Sequence, residues 1–201
     1  MLFRKDFTKV VDNSKFPIKL YTFIGDIEQN LEYTINLIST LEDPTVKYKN
    51  EDPPVKLAKL KVDIKNDILN YPPEEIVKII TFTTIMENIY NSTNEIKGYI
   101  KELIKYPPIG FDFSEIAIKI SGIAKKAIDG FFANNIDTDL ESETTETERL
   151  INAALRRLHK LNDKEKQEKG RIVYYSCVIT VLKEILEKTS SLQCVHVPTS
   201  A

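Results

Sequence analysis

Apolar residues recur at helical spacing in six segments of this 201-residue chain, and this pattern constrains its fold more than any other feature. In the first segment, about Phe16–Leu41, an apolar residue returns every three or four positions. Such spacing places these residues on one face of a helix. The apolar line consists of Phe23, Ile27, Leu31, Ile35 and Ile38. The polar residues predicted to lie largely off that face are Asp26, Glu28, Asn30 and Glu32.

Prolines and short polar runs separate the segments. Pro44 ends the first segment, because the residue before a proline avoids the helical region. Segment two, about Val55–Asn70, stops at Tyr71–Pro73, and segment three begins there with a proline in its first turn. Segment three runs to about Lys105, and Tyr106–Gly110 follows it. The last three segments are predicted at about Asp112–Asn135, from the acidic run Asp137–Glu148 to Leu158, and at about Lys164–Leu192.

This order predicts an all-α bundle of six helices, made of two consecutive three-helix units. The first unit covers residues 1–108, the second covers residues 109–192, and a frayed tail follows at residues 193–201. The stretch Val178–Thr180 has strand propensity, but it lies inside a helical period, so we predict helix there. Six Gly and nine Pro are also too few for the frequent turns of an all-β fold.

Composition and charge favour a soluble cytoplasmic protein. A net charge of -2 supplies no field that would attract nucleic acid or an anionic membrane. No run approaches the roughly 20 apolar residues of a membrane span, and the charged start Met1–Asp6 argues against a signal peptide. Cys177 and Cys194 belong to no CxxC pair, so both are expected to be reduced thiols.

Three stretches resemble regulators of phosphate uptake. Phe16–Leu41 looks like the opening helix of putative phosphate-transport regulators, and Ile64–Leu69 looks like their Ile-Lys-Arg-Glu-Ile-Leu run. Met86–Ile96 is similar to the signature of the related PhoU-like proteins, approximately Leu-Glu-Arg-Ile-Gly-Asp-His-Ala-x-Asn-Ile. The residues that match in register are Met86, Glu87, Ile89 and Ile96. The resemblance implies a PhoU-like six-helix bundle.

The same stretch departs from the signature at its polar positions. Asn91 stands where the signature has Asp, Tyr90 where it has Gly, and Glu95 where it has Asn, with Asn94 one place early. A weaker second copy is Leu182–Lys188. It keeps Leu182, Ile185 and an acidic Glu187, but it has Lys183 where Glu is expected.

The resemblance also implies a use for these positions, because acidic pairs spaced i,i+4 are associated with metal clusters in that family. Such carboxylates project about 6 Å apart on one helix face, where they can bind hard or borderline cations. Asn91 and Lys183 each replace one member of a pair, and an ammonium group repels a metal ion. We therefore predict no metal site and no cofactor. Either these are ordinary solvated or interhelical positions, or they form a partner-binding or ligand-binding face made of Glu87, Asn91, Asn94, Glu184 and Glu187.

Other chemistry is poorly represented. His159 has Arg156 rather than Glu three residues before it, which argues against a di-iron bundle. No glycine-rich phosphate loop occurs, and Cys177 is expected in the core, so no catalytic triad is proposed. The basic cluster Arg156–Lys160 is predicted to be solvated near a helix end, with phosphate or an acidic partner as the alternative. The Ser and Thr residues of Asp137–Glu148 favour a non-helical first half for that run.

These features predict a non-enzymatic regulator or accessory protein of phosphate transport. It would dock helix faces onto a protein partner, either a phosphate transporter or its sensor. The alternative is a helical scaffold or dimerisation module unrelated to phosphate, and a homodimer is open under both. An enzyme with a cofactor in the bundle core is disfavoured by the missing ligand sets.

Overall fold

The computed structural model describes residues 16–41, 57–106, 113–133, 139–164 and 169–195. Every regular element within these ranges is helical, which confirms the all-α prediction, including helix at Val178–Thr180. The helices are α1 (Ile18–Thr40), α2 (Leu57–Asp67), α3 (Pro73–Leu103), α4 (Ser114–Ala133), α5 (Leu140–Lys164) and α6 (Lys169–Leu192). Short 3₁₀ turns extend α2 over Ile68–Asn70 and α6 over Gln193–Val195.

The residues at the start of helix α3 fit the first turn of a helix. Pro72 has ψ of 145°, which is extended, and Pro73 occupies the first turn, where its missing N–H is not needed. Glu74 and Glu75 follow in that turn, next to the positive end of the helix dipole.

Three boundary predictions need correction. Helix α5 begins at Leu140, so most of the acidic run is helical, and the hydroxyls of Thr145 and Thr147 donate to carbonyls one turn earlier. These two threonine side chains bond within the helix and do not displace it. Lys164 is the last residue of α5 rather than the start of segment six. The frayed tail is wrong for residues 193–195, since Val195 is largely buried in a 3₁₀ turn. Residues 196–201 lie outside the described residues.

Helices α3 and α6 form the largest helix–helix contact and run antiparallel. The Lys188 ammonium donates to the Ser92 hydroxyl at 2.8 Å, whereas the rings of Tyr99 and Tyr174 lie 6.3 Å apart further along. Helix α1 contacts α2, α3 and α4, and the helices α4, α5 and α6 contact one another. The buried apolar residues form one continuous core across all six helices. The division into two three-helix units stays a prediction, since this contact and this core both cross the proposed boundary.

An aromatic cluster joins helices from both halves of the chain. Phe82 of α3 stacks on Phe131 of α4, with ring centroids 3.8 Å apart, and Tyr21 of α1 stacks on Phe132 at 4.7 Å. Phe82 and Phe131 are fully buried. Because large aromatic side chains contribute much of the energy of a core, this cluster anchors α1 and α3 to α4.

The predicted apolar line of α1 is confirmed, since all five of its residues are buried. The prediction that Asn30 lies off the buried face is wrong, because Asn30 lies inside the bundle with 1% of its surface exposed. Its side-chain oxygen accepts a hydrogen bond from the Lys97 ammonium at 2.5 Å, and its amide donates to the Thr93 hydroxyl at 2.5 Å. The Lys97 ammonium also lies 5.1 Å from the centre of the Tyr33 ring. Burial of these polar groups is tolerated because they bond one another.

Large apolar side chains at exposed positions are few and scattered over several helices. Val77 and Ile80 of α3 are 64% and 43% exposed. Val173 of α6 is 58% exposed and is likewise not part of the core. Within the described ranges, no helix has the length and apolar content that a membrane crossing requires.

Candidate functional site

Of the five predicted face residues, Glu184 lies at the contact between α3 and α6, because its partner Lys188 donates a hydrogen bond to Ser92. This bond places the stretch Asn91–Glu95 of α3 next to the stretch Glu184–Lys188 of α6. The side chains of Asn91 and Asn94 are exposed, and their spacing of four and seven residues puts them on the same face of α3 as Glu87. The structure therefore brings together residues that are about 90 positions apart in the chain, and we refer to this surface as the α3–α6 seam.

Glu87 faces α2 rather than α6. Its carboxylate forms an ion pair with the ammonium group of Lys61. Both side chains are about one-third exposed, so the pair is a polar link between neighbouring helices. This is one of the two roles that the sequence left open for Glu87.

Glu184 and Glu187 form ion pairs within α6. Glu184 pairs with Lys188 at 3.6 Å, and Glu187 pairs with Lys183 at 3.5 Å, each across one helical turn. Lys183, the residue that breaks the second acidic pair, is thus the ionic partner of the remaining acid. Partly exposed pairs at this spacing contribute only about 0.3–0.5 kcal/mol each.

A groove opens beside the seam, where α3 and α6 meet α5. Its volume is about 370 Å³, within the range of sites that hold a small molecule or a side chain. Glu95 and Tyr99 form the α3 wall, and His159 contributes from α5. The lining residues from α6 are Ile172, Val173, Ser176, Cys177, Thr180, Val181 and Glu184. The groove therefore combines two carboxylates, a phenol and an apolar floor.

The polar groups on the α3 wall bond each other. The Tyr99 hydroxyl donates to the Glu95 carboxylate at 2.7 Å. This hydrogen bond, together with desolvation, the Glu95 charge and the nearby Cys177, raises the pKa of Tyr99 to about 12, because each favours the neutral phenol. Among the described residues, no lysine or arginine forms an ion pair with Glu95. Glu95 is exposed to solvent and lines the groove.

One side chain in the groove differs from its sequence prediction. Cys177, predicted to be core, is half-buried and lines the groove as a free thiol. The side chain of Cys194 lies outside the described part of the structure. His159 is exposed, as are Arg156, Arg157 and Lys160, and His159 also borders the groove.

A separate acidic cluster lies between α1 and α4. Burial raises the pKa of Glu28 to about 7, and the charges of Asp129 and Glu32 act in the same direction, whereas Lys125 opposes them. Burial also raises the pKa of Asp129 and of Asp26. Glu28 was predicted to lie largely off the buried face, and its partial burial against α4 is what perturbs it.

Comparison with known proteins finds no match to this chain among family models, curated proteins or solved structures. Within the described part of the chain, no group of three or more His, Cys, Asp or Glu side chains is placed to hold a metal ion.

Sequence reasoning identified the polar face of Met86–Ile96 but missed the groove. Glu95 appeared only as a departure from the signature, and Tyr99 was not singled out. Their spacing of four residues was available as a signal that they share a helix face. The contribution of α5 and α6 was not available, because it depends on how distant helices pack.

Proposed function

We propose that this chain is a non-enzymatic, PhoU-like regulator or accessory protein that acts by binding a protein partner at the α3–α6 seam. The observation that carries the proposal is the groove of about 370 Å³ at this seam, bordered by Glu184 and by Glu95 next to Asn94. Two long helices in extensive contact form its walls, so the partner would meet a preformed surface. Its mixed polar and apolar lining suits a protein side chain or short segment.

The phosphate-transport part of the proposal rests on the similarity of Met86–Ile96 to the PhoU signature. In this proposal the bundle consists of two three-helix units, the protein is cytoplasmic, and the partner is a phosphate transporter or its sensor. Helices α3 and α6, which carry the two signature-like stretches, supply most of the binding surface. The protein would need no catalytic group, because it works by occupying a surface of its partner.

Affinity capture from the native cell with two matched variants tests the proposal. Thr180 lines the groove, and Thr84 lies on α3 at a distance from it. Both are exposed, and each hydroxyl donates to the carbonyl four residues earlier, so the two substitutions disturb their helices alike. The wild type and Thr84→Arg are expected to recover a component of phosphate transport, and Thr180→Arg is expected to lose it. The proposal would be overturned if Thr180→Arg recovered the component as well as the wild type does, or if none of the three proteins recovered a component of phosphate transport.

The alternative is a helical scaffold or dimerisation module unrelated to phosphate. Val173, an apolar residue 58% exposed at the groove, is the position that a second subunit would cover in this alternative. Light scattering, which measures the oligomeric state, distinguishes the regulator from the scaffold. A stable homodimer that Val173→Asp dissociates, together with no phosphate-transport partner, would favour the scaffold.

A further inference from the structure

The groove between α3, α5 and α6 has an uneven distribution of charge. Glu95 on α3 and Glu184 on α6 contribute carboxylates to its lining. Among the described residues that line the groove, His159 is the one basic residue. Glu184 has an ionic partner, Lys188, which is not among those lining residues.

The carboxylates of the groove retain capacity to accept hydrogen bonds. Glu95 accepts one hydrogen bond, from the neutral Tyr99 hydroxyl. Glu184 lies 3.6 Å from the ammonium of Lys188, which is longer than a hydrogen bond, and that ammonium already donates to the Ser92 hydroxyl. A carboxylate has about four acceptor sites, so both residues can take further donors from a bound group.

Apart from His159, Ser176 and Thr180, the rest of the lining is apolar or aromatic. Ile172 and Val181 are buried and form the floor, with Cys177 half-buried beside them. The ring of Tyr99 lines the α3 side. An occupant that fits must therefore combine a positive charge, several hydrogen-bond donors and an apolar stem.

We infer that the groove receives an arginine side chain of the partner protein; this inference rests on the proposed function. A guanidinium group has five N–H donors in a planar fork, which suits two carboxylates, and its plane stacks on a tyrosine ring. The methylene stem of arginine would cover the apolar floor. Lysine fits less well, because its compact ammonium is more strongly hydrated and does not stack.

Nuclear magnetic resonance titration of the full chain tests this with small probes. N-acetylarginine amide is the arginine probe, N-acetylcitrulline amide is its uncharged counterpart of nearly the same shape, and N-acetyllysine amide is the lysine probe. The arginine probe is expected to shift the backbone amide signals of Cys177 and Thr180. Its affinity is expected to exceed that of the citrulline probe about tenfold and that of the lysine probe about threefold.

Matched substitutions assign the binding to the carboxylates. Glu95→Gln combined with Glu184→Gln is expected to weaken the arginine probe about tenfold. Glu102→Gln is the control, because Glu102 of α3 also pairs with a lysine one turn away, Lys105, but does not line the groove. It is expected to change affinity less than twofold. Unperturbed spectra outside the groove show that each variant is folded.

Three results would overturn the inference: no shift with the arginine probe, equal binding of the citrulline probe, or binding that the paired glutamine substitutions leave unchanged. Equal binding of the lysine probe would overturn the preference for arginine. The proposed function fails separately. Arginine binding without a captured phosphate-transport component refutes the partner class alone, whereas a captured component without arginine binding refutes the inference alone.

Discussion

Helix α3 carries two polar pairs whose environments are opposite, although their residues alternate along the helix in steps of two. Thr93 and Lys97 face α1 and are buried, with 0% and 6% of their surface exposed, in a closed network with Asn30. Glu95 and Tyr99 face outward into the groove with α5 and α6. The residue types are similar. The side chains of the first pair form hydrogen bonds with Asn30 inside the bundle, whereas the Glu95 carboxylate of the second pair retains acceptor sites for further hydrogen bonds. The difference separates a polar region that holds helices together from one available to a partner.

The largest expected effect on stability comes from removing the buried hydrogen bonds of Asn30. Asn30→Ala removes the acceptor of the Lys97 ammonium and the donor to Thr93. We expect the free energy of unfolding to fall by about 3–5 kcal/mol, because buried polar groups lose their bonds. Urea denaturation measures this. Glu95→Ala, which removes a carboxylate from the open region, is the control and is expected to cost under about 0.5 kcal/mol. Equal losses would contradict the comparison.

Replacing both partners of the buried bond sharpens this comparison. Asn30→Leu combined with Lys97→Met exchanges the polar pair for apolar side chains of similar size. We expect this double variant to lie within about 2 kcal/mol of the wild type, because no charge is left buried without its acceptor. A double variant that is as unstable as Asn30→Ala would show that the network is needed for packing rather than for satisfying charge.

The acidic cluster between α1 and α4 is intermediate between the two pairs, because it is partly buried, and it makes the stability of the protein depend on pH. Below its ordinary pKa of 4.5, Glu28 is protonated in both the folded and the unfolded state. Because the folded-state pKa is about 7, stability is expected to fall as pH rises from 4.5 to 7 and then to level off. After allowance for solvent screening, we expect a loss of about 1–2 kcal/mol.

Glu28→Gln tests this assignment, because an amide does not ionise. We expect the variant to be more stable than the wild type at pH 8 by about 1–2 kcal/mol and equally stable near pH 4. Thermal unfolding across this pH range measures the difference. Glu32→Gln is the matched control on the same helix, since Glu32 contributes least among the causes of the Glu28 shift. A pH profile that Glu28→Gln leaves unchanged would rule out Glu28 as the titrating group.

The smallest expected effect on stability comes from changing Glu95 of the outward-facing pair Glu95 and Tyr99. Glu95→Gln removes the charge that favours the neutral Tyr99 phenol, so the pKa of Tyr99 is expected to fall from about 12 towards its ordinary value of 10.0. Ultraviolet titration of tyrosine ionisation measures the shift, with Tyr99→Phe identifying the signal. Stability at pH 7 is expected to change by less than about 0.5 kcal/mol. An unchanged tyrosine titration would show that the two side chains do not bond in solution.

The apolar residues of the sequence determined that the chain is helical, because their spacing of three to four is a local property of the chain. For the same reason, the prolines at positions 72 and 73 located the start of α3. The polar stretch Met86–Ile96 was singled out by its similarity to the PhoU signature. Local patterns could not show that Asn30 is buried, since a single polar residue beside an apolar stripe looks the same whether it faces solvent or another helix.

The tertiary structure decided which polar residues are enclosed and which are open. Asn30, Thr93 and Lys97 are enclosed because α1 packs on α3. Glu95 and Glu184, far apart in the chain, share a groove because α6 runs antiparallel to α3. Both results depend on contacts between distant segments, which helical periodicity within one segment does not encode. The sequence by itself determined the helices and their apolar faces, and their packing determined the site.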